Sequence, residues 1–233
     1  MRIFAIRTFW ILSFIPFSAS AADMSVMDIA SLFGISGAII VGLSLLTLAV
    51  VLERFKHFSR KNIVPKQLLS QINDLWHGGE HQQIQQVCAD NASTLANTLS
   101  YVNKHRHHGF ELVSNGAGDV ASLEFRKHLE KIYPLAVVAT IAPLAGLLGT
   151  VVGMIEAFYI VAATGAIGDA SILADGIYKA LFTTAAGLFV ALPAMGFHHY
   201  FKSKVTLYSL ELEEQVSNFI SDWFSNKEHI DAR

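Results

Sequence analysis

Three runs without a single Asp, Glu, Lys or Arg dominate this chain, at 33–52, 132–155 and 180–201. Twenty residues of α-helix rise about 30 Å, the thickness of the hydrocarbon core of a bilayer, so each run is long enough to cross a membrane. In hydrocarbon the backbone must satisfy its own hydrogen bonds, which limits spanning structures to helices and closed barrels, and unbroken apolar runs select helices. The expected fold class is an all-α integral membrane protein with three transmembrane helices. Composition agrees, since 52% hydrophobic against 15% charged residues is too apolar for an ordinary soluble domain. A net charge of −2 offers no basic excess for a phosphate backbone, so no nucleic-acid partner is expected.

Arg2 and Arg7, an apolar run over 8–17 and the triplet Ala19-Ser20-Ala21 follow the order of a secretory signal peptide with an A-x-A cleavage site. This predicts a signal peptide over 1–21 and a short periplasmic stretch over 22–32. Lysine and arginine then set the orientation. The 53–131 segment holds ten and the 202–233 tail holds four, while 22–32 and 156–178 hold none. The positive-inside rule therefore expects a periplasmic N-terminus and places 53–131 and 202–233 in the cytoplasm, with 156–179 as a periplasmic connection. The expected location is the inner (cytoplasmic) membrane of a bacterium.

The charged segment reads as helices. Val64, Leu68, Leu69, Ile72, Leu75 and Trp76 recur at helical spacing, His77-Gly78-Gly79 breaks the pattern, and Ile84, Val87 and Cys88 resume it. Leu95, Leu99 and Val102 mark another helix. In the tail, Val205, Tyr208, Leu212, Val216, Phe219 and Trp223 form one apolar stripe. The spans are thus expected to continue as long helices into a cytoplasmic helical bundle. The one cysteine, Cys88, reads as a small buried apolar residue, since a disulfide framework or a Cys-rich metal site needs partners this chain lacks.

Enzyme chemistry has no foothold. No P-loop, Rossmann glycine pattern, nucleophile elbow or H-E-x-x-H occurs, and His105, His107 and His108 lack a carboxylate or cysteine partner at metal-site spacing. No catalytic residue, metal or cofactor is expected. The second and third spans instead carry small residues on one face: Ala139, Pro143, Gly146, Thr150, Gly153 and Ala157 in one, Ala180, Thr184, Gly187, Ala191 and Ala194 in the other, with Gly149 and Gly153 forming a G-x-x-x-G. Such stripes let helices approach closely. Three spans offer too little interior to use both stripes fully, which favours an oligomer over a monomeric bundle.

Thr150, Thr183 and Thr184 are the deepest polar side chains, and Thr150 and Thr184 lie at matching depths from one end of their spans. Bonding back to their own helices accounts for them equally well. No Asp, Glu or Lys occurs mid-span, so a conducted proton would need a carboxylate from a partner. Glu156, Asp175 and Lys179 stand at the outer mouth, where snorkelling explains Glu156 and Asp175.

The stretches APLAGLLGTVVGMIEAF (142–158) and GIYKALFTTAAGLFVALPA (176–194) resemble the second and third transmembrane helices of the MotA/TolQ/ExbB proton-channel family, and WHGGEHQQIQQVC (76–88) is similar to its cytoplasmic segment. The topology resembles the ExbB and TolQ branch. This resemblance implies a homopentamer whose second and third helices line a pore around transmembrane helices of a single-pass ExbD- or TolR-like partner, whose membrane aspartate carries the proton. It further implies a TonB- or TolA-like periplasm-spanning protein as the driven partner. Family pore threonines fall on Thr150 and Thr184, and Thr183 takes a position where several relatives carry alanine. Lys179 stands where ExbB and TolQ proteins commonly have a glutamate, reversing the sign at the pore mouth beside Glu156. Gly146, Gly149, Gly153 and Gly187 are the expected packing positions. The expected function is a non-enzymatic channel or stator subunit driven by the proton motive force; a non-conducting scaffold is the alternative.

Overall fold

The computed structural model describes residues 34–164 and 170–231, and the described residues are helical apart from short connections. The expected signal peptide over 1–21 and the 22–32 stretch lie outside them. Among the described residues seven helices follow in order: α1 Gly34–His57, α2 Arg60–Ile63, α3 Lys66–His77, α4 His81–Ala89, α5 Thr94–Lys104, α6 Phe110–Thr164 and α7 Ala170–Asp231. Among the described residues three helical segments are long and apolar enough to cross a bilayer, Gly34–His57, Phe110–Ala163 and Ser171–Phe224. The apolar runs at 132–155 and 180–201 thus sit inside helices of 55 and 62 residues, far longer than a bilayer requires.

The described chain divides into two compact units, 34–44 with Ile141–Val190, and Leu45–Thr140 with 191–231. The second unit has a side-chain core. Leu68 and Ile72 of α3, Ile84 and Cys88 of α4, and Leu95, Leu99 and Val102 of α5 are all buried, as are Val113 and Phe125 of α6 and Val205, Leu212, Val216, Ile220 and Trp223 of α7. The tail stripe is therefore a core face. Trp223 stacks on Trp76 with ring centroids 4.0 Å apart, and its indole N–H donates to Asn73 Oδ1 at 3.3 Å.

Local sequence sets the helix ends in this unit. Gly79 adopts φ +71°, which favours glycine, and the chain closes α3 as Glu80 N–H bonds to Leu75 O and Gly79 N–H to Trp76 O. That pair of bonds is a Schellman motif, and it satisfies carbonyls left over at the helix end. Ser93 caps α5 by accepting from Ala96 N–H at 3.2 Å. Arg60 of α2 donates through Nε to both carboxylate oxygens of Glu211 on α7, at 2.9 and 3.1 Å. Such a fork-shaped pairing fixes orientation as well as charge.

Candidate functional site

In the first unit the backbones of α6 and α7 touch. A Cβ added at Gly187 would lie 2.5 Å from the Ala142 carbonyl oxygen and 3.1 Å from Gly146 Cα. One at Gly146 would lie 2.9 Å from Thr184 Cα and 3.0 Å from the Thr183 carbonyl oxygen. Further along, a Cβ at Gly149 would stand 2.3 Å from Thr183 Cγ2, one at Gly153 3.1 Å from Ala180 Cβ, and one at Gly176 2.3 Å from Ala157 Cβ. Gly146, Gly149, Gly176 and Gly187 permit an approach that a Cβ would block, and Gly153 one that a Cβ would crowd.

The two small-residue stripes thus meet each other within one chain. Their pairing occupies within one chain much of the small-residue surface that the sequence offers for helix packing. Gly149 also points to a residue that pattern reading missed. Ser36 of α1 is buried, and its hydroxyl oxygen lies 2.9 Å from where a Gly149 Cβ would be. The adjacent small pair Ser36-Gly37, both buried, is the signal that could have found it.

Each threonine hydroxyl has a definite acceptor. Thr150 Oγ1 donates to the Leu147 carbonyl at 2.7 Å and Thr183 Oγ1 to the Lys179 carbonyl at 2.9 Å, both within their own helices. Thr184 Oγ1 crosses between helices and donates to the Gly146 carbonyl at 3.0 Å. Thr183 is 3% exposed and wedged on Gly149, whereas Thr150 and Thr184 are half-buried. Because Thr184 faces Gly146 and Thr183 faces Gly149, the antiparallel register separates Thr150 and Thr184 in depth by two to four residues, about 3–6 Å at roughly 1.5 Å per residue.

Near the end of α6 and the start of α7, Glu156, Asp175 and Lys179 line one cavity. Lys179 Nζ donates to Asp175 Oδ2 at 2.7 Å, one helical turn away. Lys179 is half-buried, while Glu156 is exposed. In the second unit, His105 stacks on Tyr101 with centroids 4.1 Å apart, and His198 Nδ1 lies 3.4 Å from the Ile132 carbonyl oxygen. Among the described residues no three His, Cys, Asp or Glu side chains converge as a metal site.

Comparison with known proteins places this helix pair. The profile of the MotA/TolQ/ExbB proton channel family matches residues 84–214. The chain belongs to that family. It is 35% identical over 129 residues to the biopolymer transport protein exbB1 of Vibrio cholerae, an alignment covering 54% of this chain and 56% of that protein. It is 40% identical over 83 residues to the biopolymer transport protein ExbB of Aquifex aeolicus, covering 35% and 55%. It is 32% identical over 118 residues to the Tol-Pal system protein TolQ of Haemophilus influenzae, covering 48% and 49%. The chain spans about half the length of these relatives. The MotA/TolQ/ExbB match contains the whole helix pairing from Ala142 to Gly187, and the ExbB and TolQ relatives, with three helices long and apolar enough to span, make this a membrane protein of the ExbB and TolQ branch.

Proposed function

We propose that this chain is the channel, or stator, subunit of an energy-transducing complex in the bacterial inner membrane, of the ExbB-ExbD-TonB or TolQ-TolR-TolA type. The observation that carries the reading is the pair of hydroxyls, Thr150 and Thr184, within one helical turn of each other in depth on the closely packed α6 and α7 of a proton-channel family member. The N-terminus faces the periplasm, and 53–131 and the C-terminal tail face the cytoplasm, following the lysine and arginine distribution. Five copies surround the single transmembrane helices of an ExbD- or TolR-like subunit, whose membrane aspartate carries the proton. A TonB- or TolA-like protein delivers the resulting work across the periplasm.

The chain's own part is electrostatic, not covalent. Thr150 and Thr184 spend their hydroxyl protons on Leu147 and Gly146 carbonyls, so what each retains is acceptor capacity on its oxygen. An acceptor favours the protonated carboxylic acid, which can donate, over the carboxylate, which cannot. The two threonines therefore raise the pKa of the partner's aspartate and hold its proton at that depth. An interhelical membrane hydrogen bond is worth about 1 kcal/mol, close to one pKa unit at about 1.36 kcal/mol per unit.

A non-conducting scaffold is the second reading, favoured by the lack of any Asp, Glu or Lys within the charge-free runs. Co-reconstitution of this chain with its single-span partner in liposomes separates the two. An imposed pH gradient should collapse, read by an internal pH-sensitive dye, only when both subunits are present. A stable complex that leaves the gradient intact would select the scaffold.

A further inference from the structure

The cavity at the Glu156 and Lys179 end of the first unit has a volume of about 690 Å³, within the range of roughly 300–1,000 Å³ typical of ligand pockets. Its polar lining carries both signs of charge. Lys179 offers three N–H donors, of which Asp175 takes one. Among the described residues no Lys, Arg or His pairs with Glu156. Beside these groups the wall is apolar, formed by Ile35, Leu148 and Val152. Glu156 is the first charge after the 132–155 run and Lys179 the last before the 180–201 run. They therefore stand at the depth where hydrocarbon gives way to headgroups.

We propose that this cavity binds a phospholipid with a phosphoethanolamine headgroup, its phosphate on Lys179, its ammonium on Glu156, and an acyl chain along Val152, Leu148 and Ile35. Two carboxylates against one ammonium leave the lining net negative, which disfavours a purely anionic headgroup and suits a zwitterion. A zwitterion without an apolar tail would gain nothing from the apolar wall, whereas an acyl chain packs along it at hydrocarbon depth. The free donors of Lys179 let it hold a phosphate without giving up Asp175. This inference rests on the membrane placement of the spans and not on proton conduction.

Native mass spectrometry of the detergent-purified full chain, with phosphatidylethanolamine, phosphatidylglycerol or phosphatidylcholine added in turn, tests it. The wild type should retain phosphatidylethanolamine about tenfold better than phosphatidylglycerol, and better than phosphatidylcholine, whose quaternary headgroup has no N–H for Glu156. Glu156→Gln should erase that preference while Lys179→Met weakens retention of all three lipids. The unfolding temperature in detergent gives a second reading, which phosphatidylethanolamine should raise in the wild type and raise less in both variants. Equal retention of the three lipids, an unchanged preference in Glu156→Gln, or the absence of any lipid-dependent rise in the wild type would each overturn the proposal.

Discussion

His81 sits edge-on against Trp76, ring centroids 4.9 Å apart, with its Nδ1 buried and unbonded and its carbonyl accepting from Asn103 Nδ2 at 2.9 Å. Burial, followed by the charge of Arg106, lowers its pKa below the ordinary 6.5. The unfolded chain therefore takes up a proton before the folded one does as pH falls. Stability is fully present above about pH 6.5 and declines as the solution acidifies towards the folded-state pKa. Thermal unfolding followed from about pH 7.5 to about 5.5 should show a falling midpoint, with a shallower fall in His81→Gln. Equal slopes in the two proteins would show that His81 does not set this dependence. Residue identities of this kind were unevenly legible. Cys88 reads from the sequence as a buried apolar side chain because nothing else in the chain can partner a thiol; it is buried and free, its pKa pushed up to about 11 by desolvation. The exchange of roles between the adjacent threonines was not legible, since Thr183 is the buried member and Thr184 the one that reaches the facing helix. Two neighbours on a helix point about 100° apart, but periodicity alone does not say which of them meets a glycine.

The helix pair depends on backbone contact. At Gly187 the obstacles to a methyl group are the Ala142 carbonyl oxygen and Gly146 Cα, both main-chain atoms that cannot rotate aside. Gly187→Ala should therefore push α6 and α7 apart and cost about 1–3 kcal/mol, seen as a lowered unfolding temperature in detergent. Gly42→Ala in α1 is the matched control, because a Cβ there meets nothing within 4 Å. Equal unfolding temperatures for the two variants would contradict the close approach. The helices themselves were plain in the sequence, as charge-free runs and as the Leu68, Ile72 and Leu99, Val102 spacings that now lie in the core. The partner of each small-residue stripe was not, for a stripe specifies a face that permits close packing without specifying what packs there. The same ambiguity hid Ser36, because a small pair such as Ser36-Gly37 marks a face that can pack closely without saying which helix meets it.

For the molecule as a whole, three spanning helices and membership of the MotA/TolQ/ExbB family follow from features legible in the sequence, chiefly the charge-free runs and the glycine and threonine pattern around Thr150 and Thr184. The ion pair of Lys179 with Asp175 and the cavity they share with Glu156 were not legible, because charges at the end of a span read equally as snorkelling side chains. The central claim is that the hydroxyls of Thr150 and Thr184 act on a partner's proton. Valine keeps the shape of threonine and removes the hydroxyl, and Thr183→Val serves as the comparison because Thr183 is buried against Gly149, whereas Thr150 and Thr184 are half-buried. The decisive measurement is proton-gradient-driven transport in the Thr150→Val, Thr184→Val and Thr183→Val chains, with co-purification of the partner read alongside. Transport should fall about fivefold, as expected for a lost term of about 1 kcal/mol, in Thr150→Val and Thr184→Val while the partner stays bound, and fall less in Thr183→Val. Wild-type transport in both of the first two variants, or loss of the partner in step with loss of transport, would contradict it.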